Sequence, residues 1–92
     1  MINMSGYEEL VKAIVDEMKK IIGPVAVTQA NLVDGLEFKD KVVIKGKPEL
    51  VVAGLVNRYK SLVGPVAWTI AKKGVKKALE KNPRLKVPKE LM

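Results

Sequence analysis

The stretch that decides the fold is a pentapeptide that occurs twice, as IGPVA at residues 22–26 and as VGPVA at residues 63–67. A glycine after an apolar helix readily takes the left-handed conformation that ends the helix. A proline directly after it suits the first turn of a new helix, where its missing N–H has no partner to lose. Each copy therefore predicts a sharp corner between two helices, with almost no connecting loop.

The two pentapeptides belong to a longer internal repeat with an offset of 41 residues. Residues 8–30 align without a gap on residues 49–71, and ten of the 23 positions are identical. Most other core-type pairs are conservative, such as Ile21 with Leu62. A repeat of this kind indicates one supersecondary unit, here helix–Gly-Pro–helix, that is written twice.

Apolar residues follow helical spacing in both units, and charged residues lie opposite them. Two helices of this size cannot bury their own apolar faces, whereas two copies can pack around a pseudo-twofold axis. We therefore predict a mainly α-helical fold of four helices in two duplicated units. Gly74 lies in the apolar stripe of the last helix, where it weakens the helix by roughly 1 kcal/mol relative to Ala. A close helix crossing at Gly74 would offset that cost.

The chain of 92 residues has room for a single domain. We place the first unit at about residues 5–35, a linker at 36–46, the second unit at about 47–82 and a basic tail at 83–92. Residues 36–38 and 42–44 have strand character, which predicts a small hairpin that turns near residues 39–40. Leu85 and Val87 alternate in the same way, either as a strand added beside residues 42–44 or as one that pairs across a dimer.

The chain has no cysteine and no histidine. Disulfides, zinc–thiolate sites, thiol nucleophiles, Ser-His-Asp triads and imidazole acid–base catalysis are therefore excluded within this chain. The acidic pair Asp16 and Glu17 is replaced by Asn57 and Arg58 in the second unit, which speaks against a carboxylate metal site. We expect no enzymatic activity, no cofactor and no bound metal.

The longest uninterrupted apolar run, at residues 50–56, is far shorter than the roughly 20 residues that cross a membrane. The first six residues lack the charged and apolar regions of a signal peptide. We expect a cytoplasmic protein, and the absence of cysteine fits a reducing compartment. Lysines far outnumber arginines and there is one glutamine, which indicates a heat-adapted source.

The run at residues 50–56 also predicts a dimer. Lys12 and Ala13 of the first unit become Ala53 and Gly54, so this run is apolar on every side. A helix that is apolar all round is buried all round, which in a four-helix chain predicts contact with a second copy. A 48% hydrophobic share in so small a domain points the same way. We expect a homodimer with these apolar interface residues: Leu50, Val51, Val52, Leu55, Tyr59 and Trp68.

Charge is distributed unevenly between the two halves. Residues 1–46 carry six lysines and seven acids, a net −1, whereas residues 47–92 carry eleven bases and three acids, a net +8. The basic residues that we expect to contact an anion lie on the last helix and tail: Lys72, Lys73, Lys76, Lys77, Lys81 and Arg84.

This basic face has three interpretations: phosphate contacts along a nucleic acid, docking of an acidic protein partner, or an ordinary solvated helix surface. Arginine is the better reader of phosphates and bases, and there are only two arginines here, which counts against strong nucleic-acid binding. Binding to a membrane surface is disfavoured, because the stripe beneath the lysines is mostly Ala and Gly and would insert weakly.

The helix–Gly-Pro–helix element at residues 22–26 and 63–67 resembles accessory modules of uncharacterised archaeal and bacterial regulatory proteins. Such modules act in interactions and have no catalytic residues of their own, so the resemblance implies a binding or dimerisation role. The tandem duplication departs from that pattern, and no functional residue is carried over. We expect a small homodimerising interaction or adapter module, with electrostatic nucleic-acid binding as the alternative.

Overall fold

Four helices and a small hairpin make up the fold in the computed structural model, which describes residues 5–39, 41–85, 87 and 91. In chain order the elements are α1 (Ser5–Ile22), α2 (Val25–Ala30), β1 (Leu36–Phe38), β2 (Val42–Ile44), α3 (Pro48–Val63) and α4 (Val66–Lys81). The predicted fold class, mainly α-helical with two helix–Gly-Pro–helix units joined by an extended hairpin, is confirmed.

Both Gly-Pro corners have the predicted geometry, and their backbones are nearly identical. Gly23 and Gly64 have φ angles of +71° and +80°. Their N–H groups donate to the carbonyl four residues earlier, at 2.9 and 2.8 Å. The next helix begins at once, because Ala26 donates its N–H to the Gly23 carbonyl and Ala67 donates to the Gly64 carbonyl, both at 3.0 Å. The left-handed glycine therefore ends one helix and opens the next in a single step.

Among the described elements, α1 and α4 make the most extensive helix packing. Gly74 lies at their crossing, where a Cβ atom would stand only 2.9 Å from the Cα atom of Ile14. Further along, Gly6 of α1 leaves no room for a Cβ beside Asn82 and Leu85, which follow α4. The close helix crossing predicted at Gly74 is confirmed.

The packing follows the repeat. The contact of α3 with α2 is the counterpart of α1 with α4, and α3 with α4 is the counterpart of α1 with α2. Tyr59 and Met18 are equivalent in the repeat, and both are fully buried. The Tyr59 hydroxyl donates to the Ala26 carbonyl at 2.6 Å, which holds the end of α3 beside the start of α2. The two Gly-Pro corners consequently lie at the same end of the molecule.

The linker forms the predicted hairpin, with β1 antiparallel to β2 and Phe38 opposite Val42. The Asn31 side chain anchors it to the end of α2, since its amide donates to the Phe38 carbonyl at 2.9 Å and its oxygen accepts from the Phe38 N–H at 2.7 Å. Asp40, at the predicted turn, lies outside the described residues.

Part of the predicted basic tail belongs to the core. Leu91 is 1% exposed, and Leu85 and Val87 pack half-buried against the same cluster. Among the described residues the sheet consists of β1 and β2, so the described part of the tail adds no third strand to it. Pairing of the tail across a dimer stays a prediction.

Candidate interaction surfaces

Four of the six residues predicted for a dimer interface are buried within one chain. Val52, Leu55 and Tyr59 are fully buried and Val51 is 5% exposed, all in the core that the helices share. The helix that carries them, α3, packs against α4, α2 and α1 of the same chain. These four residues are therefore core residues of this fold, which revises the reason for expecting a second copy there.

The other two predicted interface residues remain accessible. Leu50 is 67% exposed on the first turn of α3. Trp68 is half-buried near the start of α4, where it packs against the edge of the core. Self-association itself stays a prediction, and of the six predicted interface residues these two are the ones that remain accessible in the single chain.

Four further exposed aliphatic side chains flank the two Gly-Pro corners. Ile21, Val25, Leu62 and Val66 are between 47% and 59% exposed. They are two equivalent pairs in the repeat, Ile21 with Leu62 and Val25 with Val66. We call these four residues the corner end, because both corners lie at one end of the molecule. Trp68 follows Val66 by two positions on the first turn of α4.

The residues predicted to contact an anion are all exposed. Five of them form two neighbouring rows with four-residue spacing on α4, which we call the α4 lysine face: Lys72, Lys73, Lys76, Lys77 and Lys81. Lys77 donates to the carboxylate of Glu17 on α1. The other four lysines and Arg84 make no ion pair with any residue in the described part of the chain. One edge of the face is thus neutralised, and the rest keeps its charge.

Glu17 makes a contact with α4 that the sequence patterns did not predict. It is 8% exposed and accepts hydrogen bonds from Lys77 and from Lys20, the latter at 3.2 Å. The hydrogen bonds from Lys77 and then Lys20 hold the pKa of the Glu17 carboxyl below its usual range. The same contact raises the pKa of Lys77. Its signal in the sequence is a charge reversal, since Arg58 stands at the equivalent position.

The described ranges hold neither a carboxylate metal site nor a membrane-spanning helix. No three carboxylates there come together in a way that could hold a metal ion. None of the helices in that part of the chain has both the length and the apolar character that a bilayer crossing requires.

Known proteins offer no guide to which of these surfaces is used. Comparison of the chain with protein-family models, with curated proteins and with solved structures finds no match. The corner end and the α4 lysine face are therefore the features on which a function can be based.

Proposed function

We propose that this chain is a non-enzymatic cytoplasmic interaction module that self-associates through the corner end. The observation that carries the proposal is the paired exposure of equivalent side chains, Ile21 with Leu62 and Val25 with Val66. A twofold dimer uses the same patch on both subunits. A patch that is already built from two equivalent halves presents matching aliphatic groups to a second copy, whose association would remove them from water.

Trp68, on the first turn of α4, is the large aromatic side chain nearest in sequence to this surface. It is half-buried, so part of the residue is still accessible. Tryptophan is enriched among the residues that dominate binding energy at interfaces. It is also the single tryptophan of the chain, so its fluorescence reports on the start of α4.

Net charge gives the proposal a distinctive salt dependence. The chain has a formal net charge of +7, and exposed lysines such as Lys19 and Lys60 contribute to it. Two copies that associate bring these like charges towards each other. Salt screens their repulsion, so self-association strengthens as the ionic strength rises.

Sedimentation equilibrium at several salt concentrations tests the proposal. We expect a monomer–dimer equilibrium that Leu62→Asp weakens by about tenfold or more, because the association would bury a charge within the patch. Leu32→Asp is the matched control, since Leu32 is 55% exposed and lies outside the corner end. A well-folded monomer at high micromolar concentration would refute the proposal, as would an equal effect of the control.

The alternative function, electrostatic nucleic-acid binding, is favoured by one observation. Lys72, Lys73, Lys76 and Lys81 are exposed and make no ion pair with the described residues. Phosphate contacts of this kind weaken steeply with salt, which is opposite to the expectation for self-association.

A gel-shift series in rising salt tests this alternative. Binding at low salt that is lost in the double variant Lys72→Glu with Lys76→Glu would support it. The control is Lys19→Glu with Lys60→Glu, which changes the net charge equally but lies off the α4 lysine face. No shift at low salt would exclude nucleic-acid binding by this face.

A further inference from the structure

A groove lies beside the first half of α3, away from the corner end. It has a volume of about 650 Å³ and is open to solvent along the chain that follows α2. Leu32 and Leu50 line it, and they are 55% and 67% exposed. Two leucines with so much exposed surface in one groove are an unpartnered apolar strip.

The repeat explains why this strip is bare. On α1 the corresponding surface is covered by the second half of α4, which crosses with Gly74 against Ile14. The equivalent helix of the first unit, α2, ends at Ala30. Val33 then packs on Gly54, and the chain turns away into the hairpin. The first half of α3 therefore lacks the long covering helix that α1 has.

The equivalent positions show the same contrast in chemistry. The repeat aligns Leu50 with Glu9, and the same offset of 41 residues, continued beyond the aligned stretch, places Leu32 opposite Lys73. On the covered side these two positions carry exposed charges, and on the bare side they carry exposed leucines. Leucines stand where the covered side has solvated charges, so the groove is suited to apolar contact.

Charge at the groove is reversed relative to the covered side. Glu17 of α1 receives Lys77 from α4, whereas its equivalent Arg58 lines the groove. Lys45 and Lys47 also line the groove, against the single carboxylate of Asp34. The Nζ atom of Lys45 lies 3.8 Å from Oε2 of Glu37. Both side chains are exposed, so this ion pair is weak. The rim of the groove is therefore net positive. The helix that covers the equivalent surface of α1 is α4, which is itself basic, so a basic helix of that kind would not suit the groove.

We propose that this groove binds an acidic amphipathic helix of a partner protein. The apolar face of that helix would lie on Leu32 and Leu50, and its carboxylates would meet Arg58 and Lys47. The helix would take the place that the second half of α4 takes on α1, with its charge reversed to match Arg58 in place of Glu17. Helices bind grooves in this way through apolar anchors one turn apart.

A second copy of this chain fits the groove poorly. A twofold contact between two such grooves would bring Arg58 and Lys47 of one copy against the same residues of the other, and like charges at an interface are repulsive. The α4 helix of another copy is basic on its exposed face, so it too would be repelled. The partner is therefore a different protein.

A peptide derived from α4 is the probe for this proposal. The peptide has the sequence of residues 66–81 with the four lysines at positions 72, 73, 76 and 77 replaced by glutamate, and the unaltered peptide is its matched control. Binding is measured by fluorescence anisotropy, and the site is mapped by NMR amide shifts of the intact protein. We expect the glutamate peptide to bind about tenfold or more tightly than the lysine peptide. Its shifts should be confined to residues 32–35 and 45–58.

Two protein variants separate groove binding from a general charge effect. Arg58→Glu should weaken the glutamate peptide about tenfold and favour the lysine peptide. Lys60→Glu makes the same charge change on α3 outside the groove and should alter the affinity by less than about twofold. Equal affinity for the two peptides, equal effects of the two variants, shifts on another surface, or no binding of the glutamate peptide would each overturn the proposal.

Discussion

The α1–α4 crossing and its counterpart beside α3 lie at equivalent places in the two units. They differ in which of the two packed segments carries the glycine that allows close approach. At the first crossing the glycine is on the covering helix, where Gly74 brings the α4 backbone against Ile14. At the second the glycine is on α3, where a Cβ on Gly54 would stand 3.4 Å from Cγ1 of Val33. The glycine is thus on the covering segment at the first site, as Gly74, and on the covered helix at the second site, as Gly54.

The two sites show which features of the packing are common to both units and which differ. Both sites have a close approach of two segments, because each has one glycine at the contact. Backbone-to-backbone packing was kept only where a long helix covers α1. Beside α3, a side chain fills the space, the covering helix is absent, and the exposed leucines of the groove result. The two halves thus share a fold but present different surfaces.

The largest expected effect comes from filling the α1–α4 crossing. Gly74→Ala would place a methyl group 2.9 Å from backbone atoms of Ile14, so α4 must shift. We expect a loss of about 2–3 kcal/mol in the free energy of unfolding, measured by urea denaturation. Gly54→Ala is the matched control, since it meets Val33 at ordinary contact distance and gains helix propensity of up to about 1 kcal/mol. Equal losses in both variants would contradict the difference between the crossings.

The next largest effect tests whether the two Gly-Pro corners are equivalent. Gly23→Ala and Gly64→Ala each place a Cβ in the left-handed conformation, at φ of +71° and +80°, with nothing else within 4 Å. Each should cost about 1–2 kcal/mol of stability, and the two costs should be equal. Thermal unfolding of the two variants checks this. A large difference between them would mean that the corners are not equivalent.

A smaller effect is expected at the position where Tyr59 replaces Met18. Burial raises the pKa of the Tyr59 hydroxyl, which donates to the Ala26 carbonyl. Tyr59→Phe should cost about 1 kcal/mol in denaturant unfolding, because it removes a buried hydrogen bond. Tyr7→Phe should have no measurable effect, since its hydroxyl makes a long, exposed contact of 3.4 Å with Glu49. Identical stabilities of wild type and Tyr59→Phe would show that this bond does not hold α3 to α2.

The smallest effect concerns Glu17 and its lysine partners. Because the pKa of Glu17 is lowered in the folded state, its carboxylate stabilises the fold at neutral pH. That contribution starts to fall as the pH drops towards the ordinary pKa of a glutamate, about 4.3, and it is lost as the pH falls further through the lowered folded-state pKa. Glu17→Gln should therefore be less stable than wild type at pH 7, with the difference vanishing in acid. Glu37→Gln, whose partner Lys45 is exposed and 3.8 Å away, should show no such difference.

The local features of the fold could be predicted from the sequence, because their causes are local. The Gly-Pro corners, the helices between them and the alternation of the hairpin depend on neighbouring residues. Even the crossing at Gly74 was indicated, since a glycine in an apolar helix stripe needs close packing to offset its cost.

The partners of these elements could not be predicted in the same way. Apolar residues on every side of the start of α3 indicate burial but not whether the cover comes from the same chain or a second one, and here Val51, Val52 and Leu55 are covered internally. The ion pair of Glu17 with Lys77 joins residues 60 positions apart. The exposed aliphatic pairs become a candidate surface only once both corners are known to lie at one end.

The most direct test of the corner end as the functional surface is an NMR dilution series of the wild-type protein. Amide shifts are followed from low to high micromolar concentration, with Trp68 fluorescence as a parallel signal. We predict concentration-dependent shifts confined to residues 19–27 and 60–68, in equivalent positions of both units. Shifts confined to α4 beyond Ala71, or spectra that do not change with concentration, would contradict self-association through the corner end.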